Sequence, residues 1–263
     1  MSYHNHMMIG IMACLIGMGC LLNACMQEEM QPVAGKANIQ IELDNATAFQ
    51  PTKAVDESTY QDLSKYALEI WQNETLKNSF SYVNKPSSLE LANGTYTLKA
   101  SYGTKSSYSR TGFYVEGSTI FNVEGKDQTV TCRCEPTMGK LKVKFDASMS
   151  TYFSDYEVVY TTSSITGEAV KWTKNDVDPW YIEVARGGET VTATIKLTPR
   201  TDYVSNGTST SVIRTYTLQP NKLWTLEIAP SYSSSQGQLG ISIKLDTSTN
   251  NRPIDIIVPS EWS

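Results

Sequence analysis

Histidine is the residue type that most often carries acid–base or metal chemistry, and this chain of 263 residues has two, His4 and His6. Both stand ahead of Cys25, in a stretch whose pattern marks it for removal. The chain beyond Cys25 has no histidine at all. That excludes Ser-His-Asp and Cys-His catalysis and the common His-based zinc site. Carboxylate pairs could still act alone, but the acidic residues are scattered and no pair stands apart by spacing. The expectation is a protein that is not an enzyme, with no catalytic residue, no metal and no cofactor.

Two other groupings could do chemistry. Cys132 and Cys134 stand at i, i+2 and share one face of a strand. Their Cα separation, about 6.5–7 Å, is at the edge of what a disulfide tolerates. Two thiols are also two ligands short of a structural zinc site. Buried free thiols, behaving as small hydrophobes, are expected. The second grouping is "KNDVDPWY" at 174–181. Asn175, Asp176 and Asp178 offer closely spaced oxygens, fewer than the six to eight that calcium takes. Trp172, Trp180 and Tyr181 add aromatic faces that could stack on sugar rings, so Trp172, Asp176, Asp178, Trp180 and Tyr181 form a candidate ligand site. The competing reading, and the favoured one, is an Asx-Pro turn with Trp172 and Trp180 in the core. "SYGTKSSYSRTGFY" at 101–114 carries Tyr102, Tyr108 and Tyr114 in a composition shared by adaptable binding loops and by any long sandwich loop.

The N-terminus has its own pattern. Residues 8–22 carry no charge and are too short for a membrane span, which needs about 20 apolar residues; they fit the apolar region of a secretory signal. "LNAC" comes next, with Leu22 at −3, Ala24 at −1 and Cys25, and resembles the signal-peptidase II site of bacterial lipoproteins. Cys20 has Gly17 at −3 and is a poorer match. Residues 1–25 lack the usual Lys or Arg of such signals. Cleavage would leave Cys25 with lipid on its thiol and its amine, and multi-chain anchoring is durable. Glu28 and Glu29 resemble the export signal that sends such lipoproteins to the outer face of the outer membrane. The expected organisation is a lipoprotein signal peptide at 1–24, an acidic tether at 25–36, and domains at 37–136 and 137–263.

From Ala37 onward the chain alternates. "ANIQIEL" sets Ile39, Ile41 and Leu43 against Gln40 and Glu42, and "GKLKVKF" sets Leu141, Val143 and Phe145 inward and Lys140, Lys142 and Lys144 outward. A helical turn is expected around Ser58–Lys65, and Asn93-Gly94 between alternating runs signals a hairpin. Strands at even spacing with no long helical period predict an all-β chain of two antiparallel β-sandwich domains, Greek-key and immunoglobulin- or transthyretin-like. "PIDIIVP", bracketed by Pro253 and Pro259, predicts a final edge strand. A net charge of −5 without a Lys/Arg cluster argues against nucleic acid as a partner.

"ANGTYTLKASYG" (92–103) and "MGKLKVKFDASMSTYFSDYEVVYTT" (138–162) resemble the Bacteroidales lipoprotein family catalogued as domain of unknown function 4493 (DUF4493). Gly94, Tyr96, Ala100 and Gly103 match its first segment. Val143, Phe145, Tyr152, Phe153, Asp155, Tyr156 and Val158 match its second. The resemblance spans roughly residues 37–245 and implies a lipid-anchored β-sandwich, broadly similar to fimbrillin-like adhesins, with no catalytic residue to carry over. The expectation is a surface-exposed outer-membrane lipoprotein with a non-catalytic role in adhesion or binding. Its partners would be the membrane, through the N-terminal lipid, and a glycan or a host or cell-surface protein. Two alternatives are a fimbrial anchor or tip subunit assembling with other subunits by strand exchange, and a glycan-binding component of a polysaccharide uptake system.

Overall fold

The computed structural model describes residues 35–45, 57–203, 208–234 and 238–246, with a short strand at 256–257. They lie within one compact unit, Ala34–Ser263. Leu22, Ala24, Cys25, Glu28 and Glu29 lie outside the described residues.

The first half holds β1 (Lys36–Asn45), β2 (Ala67–Gln72), β3 (Thr75–Ser81), β4 (Leu89–Ala92), β5 (Gly94–Tyr102), β6 (Tyr108–Ser109), β7 (Val115–Val123) and β8 (Gln128–Pro136). Short 3-10 turns at Glu57–Gln61 and Leu63–Lys65 stand where the helical turn was expected. Seven of the strands form one sheet, ordered β3-β2-β5-β7-β8-β1-β4. The alternation does what pleated geometry demands: Ala37, Ile39 and Ile41 point in, and their neighbours point to water. β7 and β8 pair only at Val115↔Pro136 and Glu116↔Glu135. Beyond that point they stay in touch through side chains: the Thr119 hydroxyl donates to the Thr131 carbonyl at 3.2 Å and the Gln128 amide to the Asn122 carbonyl at 2.6 Å, while the curled sheet wraps one core. Gly117 allows a close approach between the two strands. A Cβ there would lie 2.4 Å from the Arg133 carbonyl oxygen and 2.8 Å from Cys132 Sγ. Leu68, Ile70, Leu98 and Val115 are fully buried in this core, each stabilising by roughly 1.5–3 kcal/mol.

The second half holds β9 (Met138–Phe145), β10 (Phe153–Thr161), β11 (Val170–Thr173), β12 (Trp180–Glu183), β13 (Glu189–Pro199), β14 (Thr210–Leu218), β15 (Leu223–Ser233), β16 (Gln238–Asp246) and β17 (Ile256–Ile257). One sheet runs β11-β10-β13-β14 and the other β17-β16-β15-β9-β12-β6. Val158, Tyr160, Trp172 and Ile195 from the first meet Leu141, Ile182, Leu226 and Ile241 from the second. Neighbouring strands pair antiparallel with two exceptions, β1 with β8 and β9 with β15, which run parallel. The sheets change at Thr137, yet the halves do not separate there. β6, from the first half, pairs with β12 as an edge of the second half's sheet.

Lys140 corrects the expected alternation of β9. Lys144 faces water as anticipated, but Lys140 is 0 % exposed. The outward face of β9 is covered by the first half, so Met138 and the neighbouring Tyr181 join the first half's core. Lys140 Nζ donates to Glu57 Oε1 at 2.5 Å, and the Tyr181 hydroxyl donates to the same oxygen at 2.5 Å. Glu57 itself is 1 % exposed. Burial pushes the Lys140 ammonium pKa down, against the opposing pull of the Glu57 bond and charge.

The turns also differ from expectation. Asn93-Gly94 does not close a hairpin, because β4 pairs with β1 while β5 is flanked by β2 and β7; the residues carry the chain between layers instead. The tight hairpin is Asn73-Glu74, joining β2 to β3 with φ of 46° and 63°, a two-residue turn without glycine. Left-handed backbone costs an ordinary residue about 1–2 kcal/mol. Glu74→Gly should therefore raise stability, by up to about 1 kcal/mol after the entropy of the glycine is counted, read by chemical denaturation. Lys140→Met should lower stability by about 3–5 kcal/mol, because it strands a buried carboxylate; adding Glu57→Leu should recover most of that loss. A Lys140→Met protein as stable as the parent would show that the pair is not held in a dry interior.

Candidate ligand-binding site

The two loops singled out in the sequence, 101–114 and 174–181, are brought together. β6 lies in the first loop and pairs with β12 through Tyr181↔Ser109 and Ile182↔Tyr108; the Glu183 amide also donates to the Ser107 carbonyl at 2.9 Å. Arg110 then turns away from solvent into the second loop. Its Nη2 donates to the Lys171 carbonyl at 2.6 Å and its Nη1 to the Asp178 carbonyl at 3.0 Å. Nη1 also lies 3.2 Å from Asp176 Oδ1. The guanidinium stands 4.3 Å from the Trp180 ring centroid and 5.5 Å from that of Trp172, a distance at which a cation is attracted to the aromatic face.

Each sequence-predicted residue has a place in this arrangement. Asp176 Oδ2 accepts from the Thr173 amide at 2.6 Å and the Thr173 hydroxyl at 2.8 Å, closing the turn. Burial works to raise the Asp176 pKa, but the Thr173 bonds and the Arg110 charge outweigh it and hold the carboxyl below its ordinary value. Asp178 contributes its carbonyl to Arg110. Trp180 is half-buried and donates its Nε1–H to the Lys171 carbonyl at 2.8 Å. Trp172 and Tyr181 are core residues, 1 % and 0 % exposed, so neither ring offers a face to a ligand. Among the described residues, no group of three or more His, Cys, Asp or Glu side chains is placed to hold a metal ion.

The 101–114 loop instead walls an open depression of about 660 Å³. Hydroxyl groups dominate it: Thr59, Thr104, Ser106, Ser109 and Thr111, with the Tyr102 and Tyr108 phenols. Phe113 forms part of the floor and packs on Tyr102 and Tyr181. Tyr102 is fixed by a 2.6 Å hydrogen bond with Thr59, and the Ser109 hydroxyl accepts from the Thr111 and Gly112 amides. Tyr108 stands at the rim, 42 % exposed, edge-on to the Trp180 ring at 5.9 Å. Thr59 and Arg110 escaped sequence reasoning. A lone arginine among serines and tyrosines was the only signal for Arg110, and its distant partners are set by tertiary structure.

Cys132 and Cys134 are free, buried thiols in the first core. Hydrogen bonding to Cys132 and burial both push the Cys134 thiol pKa up.

A family model described as "Domain of unknown function (DUF4493)" matches residues 35–260. No curated protein matches the chain. Among solved structures, the chain is similar to a candidate cell adhesion protein from Bacteroides eggerthii, at 11 % identity over 82 % of this chain and 98 % of that one, with a TM-score of 0.43. It is similar to a candidate polysaccharide-binding protein from Bacteroides thetaiotaomicron, at 12 % identity over 86 % and 100 % of the two chains, TM-score 0.45. It is also similar to the fimbrial anchor protein Mfa2 from Porphyromonas gingivalis, at 10 % identity over 86 % and 99 %, TM-score 0.42.

Asp176 has a folded pKa below its unfolded value of about 3.9, so its contribution to stability is complete above that value and is lost as pH falls through the folded value. The difference in melting temperature between the parent and Asp176→Asn should be constant above about pH 5 and shrink below about pH 4. Cys132 and Cys134 should resist iodoacetamide in the native protein and react once it is unfolded; prompt native labelling would contradict their burial.

Proposed function

The chain belongs to the DUF4493 family, and we propose that it works as a non-catalytic adhesion or binding protein held on the outer membrane by a lipid on Cys25. The observation that carries the binding role is the depression walled by residues 102–113. Its wall is held in place by β6 pairing and by Arg110 before any ligand arrives, and a preformed wall avoids the ordering cost that weakens mobile loops. The absence of histidine after His6 supports a non-catalytic role. Leu22, Ala24 and Cys25 support the lipid anchor, and Glu28 and Glu29 support display on the outer face. The domain division at 136/137 is supported by the change of sheet at Thr137.

A second reading, a fimbrial subunit that exchanges strands, is favoured by the edge of the six-stranded sheet. Among the described residues β17 is two residues long and pairs with β16 at Ser242↔Ile257 and Ile243↔Ile256, and a strand from another subunit taking its place would pair with β16 through main-chain bonds.

Proteinase K treatment of intact cells, with intact-mass analysis of the extracted protein, tests the first reading. A mature chain that begins at a triacylated Cys25 and is degraded on whole cells is the expected result. A chain that begins elsewhere, or that carries no lipid, overturns the anchor; a lipidated chain protected from protease moves the protein to the periplasmic side. Self-assembly of the purified protein that disappears on deleting residues 252–263 would favour the strand-exchange reading.

A further inference from the structure

We propose that the depression walled by residues 102–113 takes an uncharged oligosaccharide, with Tyr108 as the face on which a sugar ring stacks. This rests on the binding role proposed above and names the ligand class.

The lining sets the chemistry. It offers hydroxyl groups that both donate and accept, which match the hydroxyls of a sugar. It offers no ammonium, guanidinium or carboxylate. The two charged residues of the loop are paired outside the depression. Lys105 lies 3.6 Å from Glu183, and Arg110 is turned inward onto Asp176 and two carbonyl oxygens. An anionic ligand would therefore find no counter-charge on the wall, and a cationic one no carboxylate. A wholly apolar ligand fits less well, because Phe113 is 3 % exposed and the Tyr102 and Tyr108 rings share the surface with hydroxyls that such a ligand would leave unpaired.

Tyr108 supplies the remaining requirement. Binding sites for polar ligands combine an apolar face with a few placed hydrogen-bonding groups. Tyr108 is exposed, and its orientation is fixed twice: its backbone belongs to β6, and its ring meets Trp180 at an interplanar angle of 71°. Trp180 is in turn locked by Arg110 and by its bond to the Lys171 carbonyl. Two aromatic residues from different halves thus cooperate: Trp180 supports the ring, and Tyr108 presents it beside the hydroxyls of Thr104, Ser106 and Thr111.

The test is an array of neutral oligosaccharides beside sialylated and sulfated ones, probed with the full chain in detergent at low and high salt. The expected result is retention on neutral glycans that does not fall with salt, since no charge pair is screened. Tyr108→Ala should weaken it about tenfold, the loss of one anchoring aromatic contact, with an unchanged melting curve. Tyr108→Phe should keep most of it. Retention confined to acidic glycans, or lost at high salt, overturns the neutral class and leaves the binding role standing. Retention on no glycan, together with adherence of the same protein to cells, overturns the saccharide and again leaves the binding role. Failure of both would remove the ligand class and the binding role together.

Discussion

A buried lysine bonded to a buried glutamate fixes the architecture. Lys140 and Glu57 come from different halves of the molecule, and neither charge can return to water without parting the two cores. Removing one partner leaves an uncompensated ion in a dry interior, a far larger penalty than losing a surface pair. β9 is consequently buried on both faces, Leu141 and Val143 toward one core and Met138 and Lys140 toward the other. Tyr181 shares the Glu57 oxygen, so β12 is drawn into the same seam. The position of β12 in turn decides where β6 can pair, and β6 decides where the 101–114 loop lies. The seam that holds the ion pair thus also holds the strands on which the depression is built.

The strands were legible because a period of two is a direct consequence of pleated backbone. "ANIQIEL" became a strand with Ile39 and Ile41 inward and Gln40 and Glu42 outward, as its alternation required. What failed was the environment of individual positions. Nothing in "GKLKVKF" separates Lys140 from Lys144, since the difference lies in what covers the second face. Asn73-Glu74 escaped notice because glutamate, not glycine, follows the asparagine, whereas Asn93-Gly94 carried the full signal and took no hairpin. A local turn preference cannot say which strands will find each other as neighbours; that is decided by the layers.

The site was half legible for the same reason. Tyrosine, serine and glycine marked 101–114, and tryptophan and aspartate marked 174–181, but loops have no period from which to infer contacts. Trp172, Asp176 and Trp180 surround Arg110. Of the aspartates that read as ligand oxygens, Asp176 closes the turn with its carboxylate and Asp178 lends its carbonyl to Arg110. The surface left free by that arrangement belongs to the other loop, where the hydroxyls are.

The parallel pairing of β1 has a mechanical consequence. A pull applied to the Lys36 end of β1, along the strand axis, loads both of its neighbours. That strand is gripped on one side by β4 over Lys36–Ile39 and on the other by β8 over Ile39–Asn45. A load along it strains these ladders in shear, many bonds at once, rather than peeling them one by one from an end. Two ladders flanking one strand therefore share any load along its axis from the first residue to the last.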